Sequence, residues 1–509
     1  MARRHVRFNV HELAACAAKA VGARSCISIE KYPEGLYNKS MLLTMDEGSQ
    51  VVARVPNPNA GIPHFTTASE VATMDFVKDV LGTPLPKVLA WNSRAEDSPV
   101  GTEYIIMEKA PGIELEQVWP QMCVQDRLSV VKKIASFQKA WTSVSFKQYG
   151  GLYYTKDLED YHKDQPLYTD ANGVDVKDKT FAIGPSPGRE NVDYGRGTVE
   201  FDRGPWNTLE SYHKAIGDRE IAAVTKLPEL PKSPITLCGP GTYIPTRERK
   251  LQALQCYQKI LKYCLPTDES ITSGHLWHGD LHEANIFVDP AEPTKVVSII
   301  DWQSTEVAPL YFHARQPYII DHQGPSIEGF VRPQLPTNMN ELDLKAQSQA
   351  TDLFYRQALC FLYRKLTHIH IPRIHAALEF QESIAYDLLL VARNLVIDGE
   401  VAYLSQLLDL ETEWNKLPGA AGHKCPLSFT QGDREEIEAQ HEGVVRGMEA
   451  MDAIREAMGE LFPERGIVET ELYNEALDAL AQMKEQVIAH YARTEEEKRT
   501  WEKMWPFGS

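Results

Sequence analysis

One stretch limits the folds open to this chain more than any other. It is His275-Leu-Trp-His-Gly-Asp-Leu-His-Glu-Ala-Asn285-Ile-Phe-Val-Asp289, followed by Val296-Val-Ser-Ile-Ile-Asp-Trp302. A polar loop leads into the β-prone run Ile286–Val288, a turn at Asp289–Thr294 and a second run, Val296–Ile300. The spacing predicts a hairpin. A hairpin returns its ends to one place, so Asp280 and Asn285, before the first strand, converge with Asp301, just after the second.

Three oxygen-bearing side chains at one point suit phosphoryl transfer. One carboxylate must orient and deprotonate the attacking hydroxyl, and hard oxygen ligands must hold the magnesium that bridges the phosphates of ATP. Asp280 fits the first task, Asn285 and Asp301 the second. The gap from Asp280 to Asn285 matches the kinase catalytic-loop pattern H-x-D-x-x-x-x-N. Two other readings stay open: a polar turn with an ordinary hairpin behind it, and a metal site using His278 and His282 with Asp280 as base. The second departs from H-E-x-x-H, because Gly279 stands where the glutamate would be. His368, His370 and His375 also cluster, but no carboxylate or cysteine frames them, so local packing is expected.

Composition bounds the rest. A chain of 509 residues exceeds one hydrophobic core, so two or three lobes are expected. Its net charge of −18 argues against nucleic-acid binding, which needs a basic face. Asp433 to Lys503 holds 19 acidic and 9 basic residues, read as a solvated helical face. No stretch approaches the length of a membrane span; Arg393 and Asn394 break the most apolar run, Leu388 to Ile397. Eight cysteines without a C-x-x-C pair indicate neither a zinc site nor a disulfide framework.

Along the chain, a short helix over His11–Val21 precedes strands at Ser25–Lys31, Leu36–Met45 and Gln50–Val55. Thr67-Ala-Ser-Glu70 reads as a capping box opening a helix that runs to Gly82. Short strands follow at Pro86–Trp91 and Glu103–Glu108. After a hinge at Glu108–Gly112, helical periodicity begins at Asp126–Ser143 and dominates from Arg247 onward. The stretch 149–246 is irregular, an insertion built on turns, and Gly324–Asn340 is a loop. Helices are expected over Glu341–Lys416, Glu435–Leu461 and Glu469–Trp501. The fold class is α+β, with a sheet-rich N-lobe at 1–111, a mainly helical C-lobe at 112–425 and an acidic helical extension at 426–509.

His278–Trp302 resembles the catalytic core of the aminoglycoside phosphotransferase and choline kinase superfamily, where H-G-D-x-H-x-x-N precedes a hairpin and I-D-W/F. Val52-Ala-Arg-Val-Pro56, Thr67–Thr73, Glu103-Tyr-Ile-Ile-Met-Glu108, Gly151-Leu-Tyr153 and Asp202-Arg-Gly-Pro-Trp206 are similar to the fungal altered inheritance of mitochondria protein 9 family. The resemblance runs from about Arg7 to Trp414. It implies a two-lobed protein-kinase-like fold and a phosphotransferase acting on a small-molecule hydroxyl acceptor. It also implies mitochondrial placement; a complete short N-terminus would instead imply a cytoplasmic one. The alternative is a weak or inactive kinase-like nucleotide-binding scaffold.

A kinase-like fold needs a cation on the third strand to grip the phosphates and a glutamate on the next helix to pair with it. Arg54 and Glu70 take these places, with arginine where lysine is usual. The hairpin Glu34–Ser40 should cover the phosphates, with backbone amides from Asn38 to Ser40 as donors. Glu108–Ala110 falls where a hinge would meet adenine. Trp302, Glu306 and His313 lie where an acceptor pocket is expected, and the acidic C-terminal helices either pack on the fold or bind a protein partner.

Overall fold

The computed structural model describes residues 5–507, except 34, 162–163, 326, 328, 467 and 469–470. The expected N-terminal strands are present, with ends shifted by one or two residues. Helix α1 (Val10–Val21) is followed by β1 (Cys26–Lys31), β2 (Asn38–Met45) and β3 (Gln50–Pro56), and later by β4 (Val88–Asn92) and β5 (Tyr104–Glu108). They form one antiparallel sheet in the order β1-β2-β3-β5-β4. Period-two alternation sends Val51, Ala53 and Val55 of β3 into the core with Leu13 and Ala17 of α1. Arg54, between Ala53 and Val55, therefore projects from the other face.

Helix α2 (Phe65–Asp79) begins two residues before the expected capping box. Its amide cap comes from across the sheet: Glu103 accepts from the His64 N–H at 2.8 Å and from the Thr67 hydroxyl at 2.5 Å. A carboxylate at a helix N-terminus is favoured by the unpaired amides there. Glu70 is thereby left for another partner.

The irregular stretch contains more order than its composition indicates. Gly151–Tyr154 pairs with Phe181–Gly184, and an 18-residue helix spans Leu209–Lys226. That helix escapes a periodicity search because its buried face carries His213, Arg219 and Glu220 among Ala223 and Val224. Glu220 is satisfied by Arg196 at 2.8 Å and Arg219 at 3.0 Å.

Two compact units result. One comprises Met1–Val192, Arg203–Tyr212 and Asp268–Glu382; the other comprises Asp193–Asp202, His213–Thr267 and Ser383–Ser509. The first holds the sheet, α2 and the predicted hairpin. The second is helical, with Arg247–Cys264, Ile384–Ala392, Glu400–Glu413, Gln431–Met458, Tyr473–Tyr491 and Glu495–Met504. The acidic helices pack within this unit through Met451, Ile454, Trp501 and Trp505, which close on Leu237. Glu469, the expected start of the last helix, lies outside the described residues. A small antiparallel sheet followed by a mainly helical remainder is the α+β build expected from the sequence. Among the described residues no helix is long and apolar enough to cross a membrane.

Candidate active site

The hairpin forms as predicted, with Ile286 opposite Ile299 and Phe287 opposite Ser298. One more rung, Ile300 N–H to the Asn285 carbonyl at 3.0 Å, extends the ladder past both strands. It holds Asn285 beside the residue that precedes Asp301.

His278 ties the polar loop to the same place. Its Nδ1 accepts from the Asp280 N–H at 3.3 Å, so Nε2 carries the proton and donates to the Ile300 carbonyl at 2.8 Å. Burial lowers its pKa, and the neutral ring serves both bonds. With both nitrogens engaged inside the loop, His278 is a strut and the metal-ligand reading of His278 and His282 does not hold.

Asp280 is the exposed member of the constellation, its side chain 65 % accessible. His282 Nε2 lies 3.6 Å from its carboxylate, and Asp280 raises the imidazole pKa. The Asn285 amide nitrogen donates to the Asp280 carbonyl at 2.9 Å, which leaves Oδ1 as the atom able to meet a cation. Asp301 has a left-handed backbone (φ 66°) and gives Oδ1 to Arg54 at 2.7 Å, keeping Oδ2. Among the described residues no group of three His, Cys, Asp or Glu side chains is placed to hold a metal. Two hard oxygen donors suit magnesium, which usually takes one or two protein ligands and completes its shell with phosphate oxygens and water.

Arg54 joins the sheet to this loop. Nη1 meets Glu70 at 2.6 Å, while Nη2 meets Asp301 at 2.7 Å and Gln303 Oε1 at 3.3 Å. Planarity makes this possible: one guanidinium serves two carboxylates in fixed directions, which a lysine ammonium does not. Burial works against the Arg54 charge, but Glu70 and Asp301 together raise its pKa. Glu70 feels the reverse balance. Its burial outweighs the pull of Arg54 and pushes it up to about 7.

The remaining expected residues fall near this centre in different ways. Asn38 contributes its side chain, with Nδ2 donating to Gln303 at 2.5 Å. Ser40 sits opposite Arg54 in the β2–β3 ladder and its carbonyl accepts from the Tyr32 N–H at 3.0 Å. Glu34, at the start of the covering hairpin, lies outside the described residues. The Glu108 N–H donates to the Lys87 carbonyl, and its carboxylate accepts from the Lys87 N–H, each at 2.9 Å. Ala110 follows two residues beyond β5. Gly112 passes so close to the hairpin that a Cβ there would meet the Val288 carbonyl oxygen at 2.2 Å. Trp302 is fully buried edge-on to Trp141 and His278, so it supports the loop and lines no pocket. His368 and His375 pack together and against Phe330, and His375 Nε2 also meets Glu379 at 3.2 Å, so a carboxylate one helical turn away frames the pair, contrary to the expectation.

Gln303 was not singled out by sequence. It accepts from Asn38 and Arg54 and donates to the Ala60 carbonyl at 3.1 Å. Its position two residues after Asp301 was the available signal.

Residues 210–312 match the model of the phosphotransferase enzyme family. The resemblance is to phosphotransferases. The phosphotransferase-like match includes Asp280, Asn285 and Asp301. The chain is 27 % identical to a subtelomeric hrmA-associated cluster protein of Aspergillus fumigatus, covering 95 % of this chain and 97 % of that one. It is 22 % identical to altered inheritance of mitochondria protein 9, mitochondrial, of Candida tropicalis, covering 79 % and 68 % respectively. An aminoglycoside phosphotransferase solved as a ternary complex with ADP and hygromycin B shares 13 % identity, with a TM-score of 0.38, over 84 % of this chain and 98 % of that one. The similarity to the mitochondrial proteins agrees with the sequence reading; the subtelomeric cluster protein was not anticipated.

Proposed function

We propose that this chain transfers the γ-phosphate of ATP to a hydroxyl group of a small-molecule acceptor. The observation that supports the proposal is the Arg54–Asp301 contact, which puts a cation suited to phosphate at the hairpin end that Ile300 ties to Asn285. Asp280, accessible and beside His282, accepts the proton of the acceptor hydroxyl. The acceptor oxygen forms a bond to the γ-phosphorus as the bond to the β–γ bridging oxygen breaks, releasing ADP. Asn285 Oδ1 and Asp301 would hold magnesium, which neutralises charge on the phosphates. Arg54 steadies Asp301 from the sheet, and Glu70 keeps Arg54 in place.

One observation favours a second reading. Arg54 already spends Nη2 on Asp301 and Gln303, so a nucleotide must compete with protein acceptors for that edge. A weak or inactive nucleotide-binding scaffold would show this too. The names of the mitochondrial relatives support placement in mitochondria, checked by fractionating cells that express the tagged chain.

Purified protein with Mg-ATP and a pool of hydroxylated metabolites distinguishes the readings. Phosphorylated product or slow ATP hydrolysis, lost in Asp280→Ala, is the expected result. Magnesium-dependent ATP binding without any turnover would leave only the scaffold reading, and turnover unchanged in Asp280→Ala would overturn the assignment of Asp280 as base.

A further inference from the structure

Residues 186–191 have no part in the chemistry above, yet they touch both the 36–38 segment and the region around Glu306. The Ser186 hydroxyl donates to Glu306, and Asn191 Nδ2 and the Gly188 N–H donate to Ser186 Oγ at 2.9 and 3.1 Å. Between them, the Arg189 guanidinium stacks over the Tyr37 ring, 3.9 Å from its centroid, and donates to the Asn59 carbonyl. These two targets are neighbours of residues met earlier. Tyr37 precedes Asn38, and Asn59 precedes Ala60.

Gln303 grips Asn38 and Ala60; Arg189 grips Tyr37 and Asn59. The same two segments are thus held side by side from two directions, one grip beginning two residues after Asp301 and the other in the insertion. A further bond, the Asn57 N–H to the Tyr37 carbonyl at 2.8 Å, closes the segments on each other. The base of the insertion is itself fixed: Tyr154 stacks between Trp91 of β4 and Phe181, with centroids at 6.1 and 5.4 Å.

We propose that Arg189 is a positioning residue for the nucleotide phosphates, forming with Gln303 a two-point clamp on the end of the covering hairpin. The inference rests on the phosphotransferase reading above. It requires no contact between Arg189 and the nucleotide. The planar guanidinium matters because only a flat cation can stack on Tyr37 and still reach a carbonyl beside it.

Titration calorimetry on the full chain with Mg-ATP and with adenosine tests the clamp. Arg189→Ala weakens Mg-ATP binding about tenfold, or about 1.4 kcal/mol, and leaves adenosine affinity within about twofold. Tyr37→Ala copies this loss, Tyr37→Phe does not, and Arg189→Lys recovers little of the wild-type affinity. The double variant Arg189→Ala/Tyr37→Ala is no weaker than either single one. Additive losses, or full rescue by Arg189→Lys, would instead make Arg189 a direct phosphate contact and overturn the clamp. So would unchanged Mg-ATP affinity in both alanine variants while the wild type binds. A wild type that binds no Mg-ATP defeats the phosphotransferase reading, and the clamp with it. Circular dichroism establishes that each variant is folded; if Arg189→Ala is not, Arg189→Lys and Tyr37→Ala decide the matter.

Discussion

Arg54 and Asp301 are 247 residues apart in the chain and 2.7 Å apart in space. Because Arg54 also holds Glu70, one guanidinium couples β3, α2 and the end of the hairpin. Glu70 is 4 % exposed and Arg54 13 %, so the Glu70 half of this coupling is largely shielded from water, whereas Asp301, at 38 %, meets solvent.

Removing the cation leaves a buried carboxylate. Arg54→Met costs about 3 kcal/mol of stability at pH 8, the order found when one partner of a buried pair is lost. With a folded-state pKa above its unfolded value, Glu70 binds a proton in the folded variant first. The variant is therefore more stable at pH 6 than at pH 8, and Arg54→Met/Glu70→Met recovers most of the loss. Denaturant melts at both pH values measure it.

Two glycines with the same φ of +87° separate backbone strain from steric contact. Gly48→Ala meets nothing within 4 Å and costs about 1 kcal/mol for the left-handed backbone alone. Gly112→Ala must also displace the Val288 carbonyl, so it costs at least about 2 kcal/mol more. Thermal melts of the pair give the difference directly, and Gly112→Ala alone disturbs ATP binding.

Acid sensitivity should arise from a buried imidazole. Burial pushes His275 down to about 3, whereas the unfolded side chain titrates near 6.5. Below pH 6.5 the unfolded state binds a proton that the folded state excludes. The contribution of His275 to stability is thus full above pH 6.5 and falls by about 1.4 kcal/mol per pH unit down to about 3, with His213, likewise buried and pushed down to about 3, adding to the same fall. His275→Asn lowers that slope of stability against pH between 6.5 and 5, whatever its effect at pH 7.

Asp280 and Asn285 should differ in their metal dependence. Asp280→Asn leaves Mg-ATP affinity within about twofold, because this side chain is exposed and assigned to the acceptor proton. Asn285→Ala raises the magnesium needed for half-maximal ATP binding by about tenfold, having lost one oxygen ligand. Magnesium titrations at fixed ATP distinguish the two.

The sequence showed the hairpin and the N-terminal strands clearly because both depend on local alternation and turn residues. The Thr67–Glu70 pattern misled for a tertiary reason: Glu103 supplies the cap, freeing Glu70 for Arg54. The helix at Leu209–Lys226 was hidden by buried charges whose partners, Arg196 among them, lie elsewhere in the chain. The Asn38–Gln303 contact joins residues 265 positions apart, and no local pattern announces it.

Trp501, fully buried, sits so closely over Gly239 that a Cβ at that glycine would lie 2.6 Å from the indole. The core it shares with Leu237, Met451 and Ile454 is therefore completed by residues made much later than Leu237. During translation the segment around Leu237 must wait for more than 200 further residues before its apolar partners exist. For that interval the helical unit exposes apolar surface, and the rate of chain elongation sets how long its unfinished core stays wet.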